Sequence, residues 1–375
     1  MSDVPAVVAL DGPVRPYAWG SRTLLAELRG TPPADGPEAE VWFGAHPSAP
    51  ALARLPGGPR PLGGPGLPAP RFLLKLLAAG APLSIQLHPD REAAAAGFAA
   101  EDAAGVPRDA AHRTYRDPYD KPELLRALTP MRLLVGARPD AEALAVVDAL
   151  LPGHADVRAA VADGLRAAVA VLLDAPPEVT DARLATLRTV VAAPDADGAA
   201  PAGAVAVVRE LLAHHPADPG VLVGALLRPV DLAPGGAVFV PAGLPHAYLS
   251  GLGVEVMRAS DNVVRGGLTS KHVDVAALVR LLDPAPYEAR VATVAVDGWR
   301  RHDAPTDAFE LREAEGDGPR DLPVVEGPRI VLCAGGAASV AAEGVSVALR
   351  PGTAAYVRPG VDVVVAAHGL VLAAA

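Results

Sequence analysis

The stretch Leu83-Ser84-Ile85-Gln86-Leu87-His88-Pro89 constrains the fold of this 375-residue chain more than any other. Ser84, Gln86 and His88 alternate with Leu83, Ile85 and Leu87, so the run reads as a strand with one apolar and one polar face. It follows the apolar run Phe72-Leu73-Leu74-Lys75-Leu76-Leu77, which reads as a core strand. Gln86 and His88 project from the same face. An amide oxygen and an imidazole placed there can bind a metal ion, or the strand can be an edge whose polar face meets water.

The other segments sort by their apolar period. Residues 23–28 read as a short helix, residues 40–47 as a strand ending in a turn, and the Gly- and Pro-rich residues 56–70 as a loop. A helix is expected over 91–104. Prolines then hold Lys121 and Glu123 in an extended segment that puts both side chains on one side. Residues 131–135 resume strand character. Four helices are expected over 140–150 (with Asp140 as cap), 155–173, 181–191 and 202–213. Strand character returns over 235–248 and 253–258, followed by a polar run, 260–271. Beyond residue 287 the chain reads as short strands and turns, including 330–333, 346–349, 354–357 and 362–366.

Composition narrows the classes. A net charge of −10 and a pI near 5.5 argue against a nucleic-acid binder, so an anionic ligand would need locally concentrated cations. Mean hydropathy is +0.26, yet no uncharged apolar run approaches the roughly 18 residues of a membrane span. The start, Met1-Ser2-Asp3-Val4-Pro5, lacks the basic and apolar regions of a signal peptide. The single cysteine, Cys333, excludes an intrachain disulfide and a Cys-rich metal site. These features together imply a cytoplasmic protein. Against an Ala-, Gly-, Pro- and Arg-rich background there are only three lysines (Lys75, Lys121 and Lys271), one glutamine (Gln86) and one asparagine (Asn262). A lysine that persists where arginine is the common cation suggests a needed amine.

Gly235-x5-Pro241-x-Gly243-x2-His246 is a strand, a Pro-Gly turn and a histidine opening the next strand. It resembles the second motif of the cupin superfamily, a β-jelly roll with a metal in its mouth. Gln86-x-His88 stands where the first cupin motif has two histidines, and Glu123 can supply the remote ligand. The resemblance then tightens. Tyr-Ala-Trp-Gly-Ser (17–21), Pro-Leu-Ser-Ile-Gln-Leu-His-Pro (82–89), Lys-Pro-Glu-Leu (121–124), Pro-Ala-Gly-Leu-Pro-His-Ala-Tyr (241–248) and Ser-Asp-Asn-Val-Val-Arg-Gly-Gly-Leu-Thr-Ser-Lys (260–271) resemble the type I mannose-6-phosphate isomerases over most of residues 15–283.

That resemblance implies a mainly β chain with an α-helical insertion, built as two cupin-type jelly rolls plus a helical domain. The catalytic cupin would occupy 1–138 and 219–284, the helical insertion 139–218, and a C-terminal jelly roll without a metal site 285–375. It implies one Zn²⁺ per chain on Gln86, His88, Glu123 and His246. The implied reaction interconverts mannose 6-phosphate and fructose 6-phosphate through a cis-enediol, and no dinucleotide fingerprint is present. Lys121 and Glu255 are alternative general bases. Arg265, Lys271 and Ser84 would take the phosphate, with Asp261 orienting Arg265 and Tyr248 beside the substrate. Lys75 is a weaker candidate. Asp120 departs from the family, many of whose members carry histidine there. The partner would be the sugar phosphate alone, with no nucleic acid or membrane, and the chain a monomer. Two rivals stay open: another metal-dependent cupin enzyme, and a sugar-phosphate-binding sensor without turnover.

Overall fold

A computed structural model describes residues 4–375, and residues 1–3, the start of the stretch read for a leader, lie outside it. Two antiparallel sheets of ten and eleven strands, with ten helices, account for most of the described residues. No helix among them is long and apolar enough to cross a membrane.

The ten-stranded sheet is organised by one strand, His246–Arg258. Its first part pairs with Met131–Ala137 and, at His246, with Gln86. Its second part runs between Phe72–Ala79 and Glu123–Ala127. The changeover falls at a register shift between Tyr248 and Ser250, next to Gly251 at φ +109°. A β-carbon on Gly251 would lie 2.5 Å from the Pro130 carbonyl oxygen, so glycine is required by both backbone and space. The strand thereby bends from one group of neighbours to the other. The apolar faces of Phe72–Ala79 and His246–Arg258 bury Leu74, Leu76, Val254 and Val256 completely, at about 1.5–3 kcal/mol for each side chain removed from water.

The stretch 83–89 is extended as expected, but its ladder is short. Only Gln86–Leu87 forms a strand, paired with Val264–Arg265. On either side the backbone is held by single bonds, Leu83 N–H to Tyr248 O at 2.9 Å and Ile85 N–H to Gly267 O at 3.1 Å. The 56–70 loop also contains a two-residue strand, Arg60–Pro61, against Leu52–Ala53.

The helical block lies between two strands that pair with each other, Met131–Ala137 and Leu227–Leu232, so the chain leaves the sheet and returns to the same place. Several expected boundaries move. Residues 155–173 form two helices, Ala155–Ala162 and Leu165–Leu173, because Gly164 adopts φ +112°, which no helix accommodates. The third expected helix starts earlier, Pro177–Val191, with proline in its first turn. The fourth is Ala204–His214, and the short helices Ala196–Ala199 and Gly220–Ala225 were not anticipated. Asp140 opens its helix from inside the first turn, and Pro139 is the cap.

The eleven-stranded sheet contains two findings that short-range patterns did not signal. Leu311–Leu322 and Val363–Ala374 pair over twelve residues, although the former contains Gly316, Gly318 and Pro319, residues that disfavour a strand interior. The N-terminal strand Val7–Asp11 also joins this sheet, pairing with Ala354–Val357 and Leu52–Ala53. The first 138 residues therefore contribute to both sheets, rather than to a first unit alone.

Between the sheets lies a buried ion cluster. Arg126 Nε sits 2.7 Å from Glu313 Oε2, and Arg300 lies 3.0 Å from the other oxygen. Burial would raise the Glu313 pKa, but His302, Arg126 and Arg300 override it and hold the carboxyl at about 2. Because the folded value lies below the unfolded value of about 4.3, this carboxylate stabilises the fold fully above pH 4.3, and that contribution disappears as pH falls through 2. Glu313→Gln is expected to lower stability at pH 7 and to flatten the loss of stability between pH 4 and pH 2. Denaturant unfolding across that range, compared with the parent chain, measures both effects.

Candidate metal centre and anion pocket

Three backbone constraints bring the centre together. The pairing of His246 with Gln86 aligns the two motif segments. The Gly243 N–H donates to the His88 carbonyl at 2.8 Å, so the Pro-Gly turn is fastened to the end of the first motif. Gly243 has φ +77°, and a β-carbon there would meet the Leu281 carbonyl oxygen at 2.9 Å. Glu123 opens the strand Glu123–Ala127, opposite Met257 on the long strand and Val240 before the turn.

The result is a set of ligand atoms from His88, Glu123 and His246 that lie within 4.8 Å of one another, all buried. Neighbouring carbonyls fix the tautomers. His88 Nδ1 lies 2.6 Å from the Asn262 carbonyl oxygen, and His246 Nδ1 lies 3.0 Å from that of Leu244. A carbonyl only accepts, so in each ring Nδ1 carries the hydrogen and Nε2 presents a lone pair. Those lone pairs face the Glu123 carboxylate at 3.1 and 3.3 Å. No proton lies between them to share, and His88 Nε2 and Glu123 Oε2 are buried without a hydrogen-bond partner. Buried orphan acceptors are costly, and a cation resolves all of them at once. The Gln86 amide lies 3.4 Å from His246 Nε2, and turning the amide over presents its oxygen to the same point. Two neutral imidazoles, a carboxylate and an amide oxygen suit a borderline-hard divalent ion.

Charge supports this protonation state. Burial, with the positive charge of Lys121, depresses the His88 imidazole to a pKa of about 4, so the ring is neutral at pH 7. Burial would raise the Glu123 carboxyl, but Lys121 and His88 hold it well below the usual range. Lys121 Nζ lies 3.0 Å from Glu123 Oε1, and the extended 115–123 segment presents both side chains to the centre.

Behind the ligands sits a second buried ionic group. Lys75 Nζ lies 3.0 Å from Glu255 Oε2 and 3.3 Å from Glu40 Oε1. Trp42 Nε1–H donates to Glu40 Oε2 at 2.7 Å, and the Lys75 ammonium lies 5.5 Å from the Trp42 ring centroid. Burial opposes the Lys75 charge, but Glu255 and Glu40 outweigh it and raise its pKa. Burial raises Glu255, and Lys75 only partly offsets this. The phenol of Tyr248 is pushed well above its ordinary range by burial and by the Glu255 and Glu123 charges, so it stays neutral.

Of the expected anion ligands, Arg265 and Ser84 flank Gln86 through the backbone. Arg265 pairs through its backbone with Gln86, and Ser84 lies half-buried two residues before Gln86. Burial lowers the pKa of Arg265 and of Lys271, and neighbouring cations lower both further. Asp261 does not orient Arg265. Its carboxylate Oδ1 lies 2.9 Å from His46 Nε2, and His46 Nδ1 accepts the Ser48 N–H at 3.2 Å. Asp120, where histidine was anticipated, pairs with Arg258 at 2.9 Å, and Arg258 in turn holds Asp307 at 3.0 Å. It serves the surface between the sheets.

Sequence reasoning missed Glu40 and His46. Glu40 and Trp42 were on a recognised strand, and their alternation puts them on one face.

The model for the phosphomannose isomerase type I catalytic domain matches residues 67–140. The mannose-6-phosphate isomerase of Salmonella typhimurium is 33% identical, covering 92% of this chain and 93% of that protein. The Escherichia coli enzyme of the same name is also 33% identical, covering 95% and 96%. A crystal structure of the Salmonella typhimurium enzyme bound to substrate (fructose 6-phosphate) and zinc superposes with TM-score 0.88 at 30% identity, covering 99% of each chain.

The ligand geometry yields a direct test. His246→Ala is expected to weaken divalent-cation binding by more than about 100-fold, the upper end of what loss of a supporting partner alone costs. Metal content after dialysis, read by mass spectrometry beside circular dichroism, measures it. A folded variant that keeps its full metal content contradicts the ligand set.

Proposed function

The chain belongs to the type I mannose-6-phosphate isomerase family, and from that premise we propose that it interconverts D-mannose 6-phosphate and D-fructose 6-phosphate through a cis-enediol. The observation that carries this reading is the buried triad His88, Glu123 and His246, with its lone pairs converging, next to Gln86 and its ladder partner Arg265. We read zinc as the resident ion, held by these three residues and by the Gln86 amide oxygen. Bound there, zinc supplies Lewis-acid stabilisation of the negative charge that develops on the C1 and C2 oxygens.

The protein's own groups do the rest. Isomerisation breaks the C2–H bond, whose electron pair forms C1=C2 as the C1=O π pair moves to O1; the proton then returns to C1 as C2=O forms and the O2–H proton passes to O1. We read Lys121, whose Nζ lies 3.0 Å from Glu123 Oε1, as the carrier of that proton, with Glu255 as the alternative. Glu255 is engaged by Lys75, which also holds Glu40, and is read as fixing the electrostatics behind the reacting atoms. Arg265, Lys271 and Ser84 bind the phosphate, because a group of charge near −2 needs concentrated donors in an acidic protein. Tyr248, whose ring lies 5.9 Å from that of His246, forms a neutral wall.

The two sheets are read as cupin-type jelly rolls. The catalytic one spans 1–138 and 219–284, interrupted by a helical insertion at 139–218. The C-terminal one spans 285–375 and borrows the strands Val7–Asp11, Leu52–Ala53 and Arg60–Pro61. We read the chain as a monomer, and its single cysteine as suited to a cytoplasmic setting.

Conversion of mannose 6-phosphate to fructose 6-phosphate by the purified protein is expected to stop with chelator and return with added Zn²⁺. Lys121→Met is expected to lower kcat by about 10²–10⁴ while metal content stays at the parent level. Undiminished turnover in that variant removes Lys121 as proton carrier and turns attention to Glu255.

A further inference from the structure

Three cations gather beside the metal centre without a carboxylate in ion-pair contact, although Glu40 acts at longer range on Lys271 and Asp261 on Arg116. Arg265 ends the short strand Val264–Arg265, Lys271 follows six residues later, and Arg116 comes from the separate loop 104–122. Among the described residues, none of the three has an acidic oxygen within 4.0 Å. Most of the other arginines in this acidic chain are paired.

Asn262 holds the Arg116 loop in place. Its Oδ1 accepts the N–H of Arg116 at 2.7 Å and that of Asp117 at 3.3 Å. Its Nδ2 donates to the carbonyls of Asp117 and Tyr119, both at 2.8 Å. Ser260 Oγ and the Asp261 N–H both donate to the Asp117 carboxylate. On the other side, buried Arg113 ties the loop to helix Arg91–Ala103 through Asp102 at 2.7 Å and to the Tyr115 carbonyl at 2.7 Å. Ala111, Arg113 and Thr114 line one small cavity together with Arg265, His272 and Asp274, the last of which caps the following helix, so the loop packs directly on the Arg265 segment. After burial, the Arg116 charge is a further cause that lowers the pKa of both Arg265 and Lys271. The bonds fix the backbone that carries Arg116, and its like charge beside Arg265 and Lys271 suits an anion.

We propose that Arg116 is a third cation of the phosphate subsite, a specificity-determining residue for phosphorylated over neutral sugars, and that Asn262 is the positioning residue that delivers it. This rests on the reading of Arg265 and Lys271 as phosphate ligands. The loop supplies one charged donor, and the 260–271 run supplies two more together with the amide that aligns the loop. The exposed guanidinium also reaches the Ala110 carbonyl at 3.4 Å, a weak contact that a substrate phosphate can replace.

Arg116→Met is expected to raise KM for mannose 6-phosphate by roughly 10- to 100-fold, the range of a charged hydrogen bond, with kcat falling far less. Competitive inhibition by inorganic phosphate should weaken by a similar factor, and Arg116→Lys should recover most of both losses. Asn262→Ala should raise KM in the same direction and remove hydrogen-exchange protection at the Arg116 and Asp117 amides. Its carbonyl still holds His88, so metal content should persist. Arg265→Met, measured in parallel, tests the reading underneath. If it raises KM and the phosphate inhibition constant while Arg116→Met changes neither, the proposal is overturned and the subsite stands. If neither variant changes them, the subsite assignment falls and the proposal with it.

Discussion

A carboxylate that is 1% exposed sets the terms for the rest of this molecule. Glu123 cannot stay ionised inside a protein without compensation, and the chain surrounds it with two imidazole lone pairs and one ammonium group. Counting Glu40, Glu255, Lys75 and Lys121 as well, three buried carboxylates face two ammonium groups. One negative charge is left over at the point where the imidazoles offer no proton. The site is therefore built to be completed by a cation, and its protonation state follows from two backbone carbonyls, those of Asn262 and Leu244.

Placing these groups is the task of the long strand His246–Arg258. Because it bends at Gly251, one element contacts four partner strands and carries His246 at one end and Glu255 in its second half. The Lys75–Glu255 pair is set by register alone, since the two residues are direct partners across the ladder. Burying that pair would be unfavourable beside an apolar isostere. Its retention is understandable where fixed charge beside a reacting centre is useful.

Much of the centre was legible in the sequence because its ligands sit at short spacings on two strands, with Glu123 in a proline-stiffened segment. The scarce residues were informative. Lys75, Lys121, Gln86 and Asn262 each make a contact at or beside the metal centre, and Lys271 lies in the cationic cluster. Arg116 was illegible for the complementary reason: in a chain where arginine is the ordinary cation, one more carries no information. His46 and Asp261 are 215 residues apart, and no local pattern joins them. The expected partnership of Asp261 with Arg265 failed because proximity in sequence was taken for proximity of side chains. The helix over 155–173 was over-extended because an alanine-rich run hides one glycine whose backbone angle ends it. Pairings across most of the chain, such as Val7 with Val357, leave no trace in a window of a dozen residues.

That last pairing has a consequence for synthesis. The strand Val7–Asp11 is made first, and its principal partner, Ala354–Val357, is made almost last. At roughly 5–20 residues per second, the early strand waits about 20–70 s for that partner, with only its Leu52–Ala53 pairing within reach. Closure of the second sheet through that pairing is therefore a late event in synthesis.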